Sequence, residues 1–270
     1  MKIKKLSSSR ELILVIIIVL MILGVGLRNP EFLTMKSIRD IFTDNSLLMM
    51  LVIGQMMVII TKGIDLSIAS NIAFTGMSVA LFNQAYPDFP MVGIILMAAV
   101  IGFLLGAFNG LFISFFKIPP IVVTLGTMSM YRGLTFVLSG GEWVNAHEMS
   151  ASFQGVPQYT FLGLSSMIWF AAVVIITAII FLGYTRTGRS IYGLGGNPLA
   201  AKYVGIDEKK ILFTVYSLNG LICGLVGYFW VARYALASSE VGLGLDREAI
   251  AGCVIGGVSI AGGVGAVLGA

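Results

Sequence analysis

Charge is what this 270-residue sequence has least of: Asp, Glu, Lys and Arg make up 11% of it, while 57% is hydrophobic. Soluble domains carry roughly 25% charged residues, so a water-soluble globule is excluded. Histidine is almost missing. His147 stands alone, with no cysteine or carboxylate cluster at ligand spacing, so neither a metal site nor a cofactor is expected. The two cysteines, Cys223 and Cys253, lie inside apolar runs and imply no disulfide framework. No serine or cysteine has the base partner that nucleophilic catalysis requires, and the chain does not read as an enzyme. GYTRTGRS at 183–190 matches the phosphate-binding G-x-x-x-x-G-K-[ST] except for Arg189 in place of lysine. That motif needs a strand before it, whereas an apolar run leads into this one, which excludes ATP binding by this chain.

Acids are scarce where they would matter most. All thirteen fall in expected loops or at the ends of apolar runs, as with Glu11, Asp65, Glu142 and Asp246. An ion-coupled carrier keeps a carboxylate near mid-membrane to bind its coupling ion. On this reading the chain has none, and the energy for any transport comes from another polypeptide.

What is present is a series of apolar runs near the length that crosses about 30 Å of hydrocarbon. They predict an all-α, polytopic transmembrane helical bundle of about eight spans, at 12–27, 46–61, 68–84, 91–116, 121–138, 161–183, 211–235 and about 248–270. The first follows Lys2, Lys4, Lys5 and Arg10 but precedes no small-residue cleavage site, so it reads as an uncleaved span. With the amino terminus in the cytoplasm, even-numbered crossings return the chain inside at Lys62, at Lys117 and at 184–210. Eleven cations then lie inside (Lys2, Lys4, Lys5, Arg10, Lys62, Lys117, Arg186, Arg189, Lys202, Lys209 and Lys210) against five outside (Arg28, Lys36, Arg39, Arg233 and Arg247). This is the positive-inside asymmetry. A pI of about 9.1 therefore reports loop charge at a membrane and not a nucleic-acid partner.

Glycines recur at four-residue spacing: Gly102, Gly106 and Gly110; Gly220 and Gly224; Gly252 and Gly256; Gly265 and Gly269. In lipid, small residues let helices approach closely, so these stripes mark helix–helix packing. Polar residues within the runs are costly there: Gln55, Asn71, Asn109, Arg132 and Asn219. Asn71, Asn109, Arg132 and Asn219 are candidates for a translocation pathway, with a bond to a neighbouring helix, or for Arg132 to a carbonyl at a broken helix, as the alternative.

The longest polar interruption is 184–210. Asn197 can cap a short helix, Pro198 suits its first position, Leu199 to Lys202 are good helix formers, and Gly205 is placed to end it left-handed. By pattern alone it is either a solvated connector or a surface built to be held by something.

The sequence TRTGRSIYGLGGNPLAAKYVGI at 185–206 resembles the coupling loop of ribose-type ABC importer permeases, with their A-A-x-x-x-G register on Ala200, Ala201 and Gly205. The likeness extends to GIDLS at 63–67, GAFNG at 106–110, IPPIVVTLGTM at 118–128, YRG at 131–133, SLNG at 217–220 and AGCVIGGVSIAGG at 251–263. YPDFP at 86–90, GEWVNAHEMS at 141–150 and GYFWVARY at 227–234 look most like rhamnose permeases, with autoinducer-2 permeases close by. The resemblance implies one transmembrane permease domain over 1–270, with further spans to follow, in the bacterial cytoplasmic membrane. It also implies a second permease subunit, cytoplasmic ATP-binding subunits and an extracytoplasmic sugar-binding protein as partners, with no cofactor of its own. Contact with the ATPase then falls to Gly188, Arg189, Gly195, Gly196, Asn197, Ala200, Ala201 and Gly205, and the cargo is a monosaccharide or sugar-like molecule, rhamnose favoured.

Overall fold

The computed structural model describes residues 9–270, with side chains from Ile16 onward except Ile18. Lys2, Lys4, Lys5 and the side chain of Arg10, part of the orientation argument, lie outside the described residues. The chain divides into two units, 1–44 and 45–270. The first holds helix α1 (Ser9–Arg28), a 3-10 turn (Pro30–Leu33) and the opening of α2 (Met35–Ile60). Asn29 begins the turn by accepting from the Glu31 amide at 3.2 Å, with Pro30 at the first position, where its missing N–H costs nothing.

The second unit is all-α apart from two short ladders. After the remainder of α2 come α3 (Ile68–Ala85), α4 (Met91–Phe115), α5 (Pro120–Ser139), α6 (Ala151–Gln158) and α7 (Ser166–Tyr184). Then follow α8 (Arg186–Gly196), α9 (Pro198–Tyr203), α10 (Glu208–Tyr234) and α11 (Leu245–Ile255). Strand β1 (Val144–Asn145) pairs antiparallel with β4 (Leu236–Ala237), and β2 (Thr160–Phe161) with β3 (Leu164–Ser165).

The centre of this unit is α4 against α10, and glycine makes that packing possible. A Cβ at Gly102 would collide with the Gly220 carbonyl, one at Gly106 with the Tyr216 carbonyl, and one at Gly224 with the Ala98 carbonyl. As numbering rises along α4 it falls along α10, so the helices run antiparallel with backbones in contact. Such close approach replaces the hydrophobic drive that lipid does not supply. On the next face, Gly76 of α3 meets Gly227 and Val231 of α10.

Five of the eight expected spans are helices long and apolar enough to cross a membrane: α2, α4, α5, α7 and α10. Of the others, 12–27 falls within α1, and only the last needs correction. The segment at 68–84 forms α3, eighteen residues long and buried along much of its length. The segment at 248–270 does not form one helix: α11 stops at Ile255, and Gly257, Gly262 and Gly263 follow in left-handed conformations that turn the chain repeatedly. The second span begins earlier than its apolar run, at Met35, because helix propensity carries α2 through a mixed-charge stretch.

The loop between α5 and α7 is folded and not merely polar. Val144, Met149 and Phe153 are buried, Asn83 and Ser150 exchange two hydrogen bonds at 2.8 and 3.0 Å, and Tyr228 donates to the Phe153 carbonyl at 3.2 Å. It lies at the end of α10 away from α8 and α9. At 1.5 Å per residue, the 27 residues of α10 separate the two ends by about 40 Å.

Candidate functional site

Two places in the second unit combine polar chemistry with constrained geometry. The first is the stretch 184–210, which holds two helices where the sequence suggested one. Thr185 caps α8 by accepting from the Gly188 amide at 2.9 Å. Four glycines in α8 weaken it as a helix, which is why composition alone did not reveal it. Two of them have a packing reason. A Cβ at Gly188 would strike the Phe181 and Leu182 backbone, and one at Gly195 would strike the Ile60 carbonyl. Tyr192 adds a bond to the Gly265 carbonyl at 3.0 Å.

Asn197 ends α8 and starts α9, its side chain accepting from the Ala200 amide at 3.0 Å. The far end of α9 is a Schellman closure: Ile206 N–H donates to the Ala201 carbonyl at 2.9 Å and Gly205 N–H to the Lys202 carbonyl at 3.1 Å. Gly205 takes φ +79°, as the expected left-handed end requires. Ala201 faces inward, while Arg189, Gly196 and Ala200 are exposed. Beside them Leu199, Tyr203 and Val204 are 73%, 91% and 75% exposed. In the sequence Leu199 is only a good helix former, and nothing local marks Tyr203 or Val204. Their shared exposure on one short capped helix is a tertiary fact.

The second place is a hydrogen-bond chain in the interior that crosses four segments. Asp65 lies in the non-helical stretch 61–67 between α2 and α3. One of its oxygens accepts from the Ser67 amide at 2.9 Å and the Ser67 hydroxyl at 2.6 Å, and the other from Asn219 Nδ2 at 2.9 Å. Ser67 Oγ accepts from Asn109 Nδ2 at 2.8 Å, and Asn109 Oδ1 from the Tyr131 hydroxyl at 3.4 Å. Thr124 of α5 donates to the Ile64 carbonyl at 3.2 Å. Nearby, Asn71 donates to the Gly102 carbonyl at 3.3 Å and accepts from Thr75 at 3.1 Å.

Asp65 lies in a connection between helices, as expected, but that connection runs through the interior and puts a carboxylate where none is expected. Asp65 is 2% exposed and bonds Asn219 near the middle of α10. Three of the four pathway candidates, Asn71, Asn109 and Asn219, gather around this chain of bonds, each buried and bonded within the protein. Arg132 is elsewhere. Half-buried on α5, it donates to the carbonyls of Ser239, and of Val241 at 3.1 Å, in the connection between α10 and α11. The described hydrogen bonds of Asp65 all come from neutral donors. The chain of bonds fixes helices relative to one another.

A family described as "Branched-chain amino acid transport system / permease component" matches residues 37–270. Among curated proteins, the chain is 31% identical over 267 residues to the autoinducer 2 import system permease protein LsrC of Salmonella typhi, covering 99% of this chain and 76% of the relative. It is 32% identical to the protein of the same name from Yersinia pseudotuberculosis serotype IB, covering 99% and 75%. No solved structure matches the chain.

Proposed function

The chain belongs to the branched-chain amino acid transport system/permease component family, and from that premise we propose that it is the permease through which an ABC importer brings autoinducer 2 into the cytoplasm. Membership makes it a multi-pass membrane permease of the binding-protein-dependent importer type. The sequence leaned towards rhamnose. The relatives just described are named for autoinducer 2, and they favour that alternative. The relatives are named as transport permeases, which supports a transport role without a catalytic residue of the chain's own.

An ion-coupled carrier is no longer argued against by a lack of buried acids, since Asp65 is one. What now weighs against it is the family. The single observation that carries the importer reading is α9: a capped helix of only six residues, closed at both ends, presenting Leu199, Tyr203 and Val204 to solvent. Lys202, on the same helix, is exposed as well. A partner that buries the three side chains gains roughly 25 cal/mol for each Å2 of apolar surface removed from water. In this reading the partner is a cytoplasmic ATP-binding subunit, and Gly188, Arg189, Gly195, Gly196, Asn197, Ala200, Ala201 and Gly205 shape the docking loop. A second permease and an extracytoplasmic binding protein complete the importer, with the amino terminus in the cytoplasm. That Asn71, Asn109, Arg132 and Asn219 border the path belongs to the same proposal.

The test is Leu199→Ser with Tyr203→Ser in the full importer. Both side chains are exposed, so stability should change by no more than about 0.5 kcal/mol. Copurification of the ATP-binding subunit and uptake of autoinducer 2 should both fall about tenfold or more, as expected when interface anchors are removed. Normal copurification with normal uptake would remove α9 from the interface.

A further inference from the structure

The stretch 61–67 is anchored at both ends, to different parts of the second unit. At its start, the Ile60 carbonyl accepts from Gly263 N–H at 2.9 Å. Gly195 of α8 abuts the same carbonyl with no room for a Cβ, so α8, the end of α2 and the turn after α11 meet at one atom. Lys62 turns the chain at φ +65°, and the stretch then enters the interior without helical structure. At its far end Asp65 and Ser67 hold α10 through Asn219 and α4 through Asn109.

The inner anchor is not saturated. Asn219 Oδ1 and the Tyr216 hydroxyl are buried side-chain atoms with no hydrogen-bond partner among the described residues, although both residues are fully enclosed. Asn219 Oδ1 faces Gly54 and the Tyr216 hydroxyl faces Gly63, so both border the stretch or the helix that leads into it. Buried polar groups are paired as a rule. A partly satisfied network holds spare partners, and a small displacement can exchange one set of bonds for another, which is what a two-state element needs.

We propose that Asp65 is a positioning residue for transport, the pin through which the stretch 61–67 passes displacement of α8 to α10 and α4. This rests on the importer reading. Aspartate suits the task because it accepts on both sides at once, from Ser67 on one oxygen and Asn219 on the other. An asparagine at 65 retains the acceptor for Ser67. Its amide nitrogen can meet Asn219 once that side chain turns over to offer its spare Oδ1. Hydrogen bonding is therefore the requirement, and negative charge is not.

The experiment uses the whole importer in proteoliposomes, following autoinducer 2 uptake, ATP hydrolysis and a spin label at the exposed position of Leu243 on the α10–α11 connection. In the wild type, ATP shifts the label and drives uptake. Asp65→Ala should lower uptake per ATP hydrolysed about tenfold or more and remove the ATP-dependent shift, while Asp65→Asn should stay within about threefold of wild type. Should Asp65→Ala not reach the membrane, Asn219→Ala takes its place, since it frees the same oxygen and leaves the Ser67 bonds intact. Normal coupling in the alanine variant would overturn the proposal. So would an asparagine variant as defective as alanine, which would make the charge itself essential. If the wild-type complex neither moves the label with ATP nor transports, the importer reading falls and takes this proposal with it. If it does both and the alanine variant matches it, this proposal falls alone.

Discussion

Two long polar interruptions, 139–160 and 184–210, differ first in charge, since the former has no Lys or Arg and the latter has five, and then in how the fold holds them. The first is tied into the fold: Val144, Met149 and Phe153 are buried, β1 pairs with β4, and Asn145, Ser150 and Gln154 find partners close by, although Trp143 and Tyr159 remain exposed. The second is rigid in backbone, capped at Thr185, Asn197 and Gly205, yet leaves Leu199, Tyr203 and Val204 in solvent. The first loop is tied into the bundle by its own bonds; in the importer reading proposed above, the second offers its exposed apolar residues to a partner.

The sharpest way to break that contrast is Phe153→Ala. Phe153 is fully buried with its ring edge-on to Tyr228 at 5.0 Å, and truncating such a side chain costs about 3–5 kcal/mol. Thermal unfolding of the purified complex should begin at markedly lower temperature, while the protein that does fold retains its ATP-binding subunit. Loss of that subunit at temperatures where the bundle is intact would mean the two surfaces are not independent.

A smaller effect is expected from Gly205→Val. Nothing lies within 4 Å of a Cβ at this position, so the whole penalty is backbone: about 1–2 kcal/mol for a left-handed branched residue. Helix α9 should fray and the ATP-binding subunit should dissociate more readily, with amide exchange in 144–158 unchanged. Gly205→Asn, which tolerates that conformation, should behave nearly as wild type. Equal behaviour of the valine and asparagine variants in a pull-down would remove the helix end from the docking surface.

The smallest effect concerns Glu148. Its carboxylate accepts from the Asn145 amide at 2.8 Å, the Asn145 side chain at 3.2 Å and Gln84 at 2.8 Å. The Asn145 bonds, first of all, hold its pKa below the ordinary 4.5. A lowered folded-state pKa means the contribution is complete above the unfolded value and is lost only as pH falls through the folded one. Amide exchange at Asn145, corrected for its intrinsic pH dependence, should therefore stay protected at neutral pH and open only below pH 4.5. Glu148→Ala should show the open behaviour at every pH. Protection in that variant would assign the order of the loop to the β1–β4 ladder alone.

Much of this was legible in the sequence because it depends on neighbours along the chain. Apolar run length located α4, α5, α7 and α10, since a span must satisfy its backbone internally over a fixed thickness. The four-residue glycine spacing marked the contact faces of α4 and α10, because glycines so spaced share one helix face. It did not show that the two faces meet, and Gly265 and Gly269 lie on no helix. Asn197, Pro198 and Gly205 located α9, because caps are local hydrogen-bond chemistry. What the sequence could not decide is where a short polar stretch between two helices goes. GIDLS at 63–67 has the composition of a solvated turn, and Asp65 was read that way. Its depth follows only from the glycine-to-glycine approach of α4 and α10, which brings Asn109 and Asn219 to a spacing that one stretch of backbone can bridge. The same holds for Gly195, Ile60 and Gly263, far apart in sequence and joined at a single carbonyl. A buried carboxylate is tolerable only where three donors converge on it, and convergence from segments more than a hundred residues apart is a property of packing, not of any window of sequence.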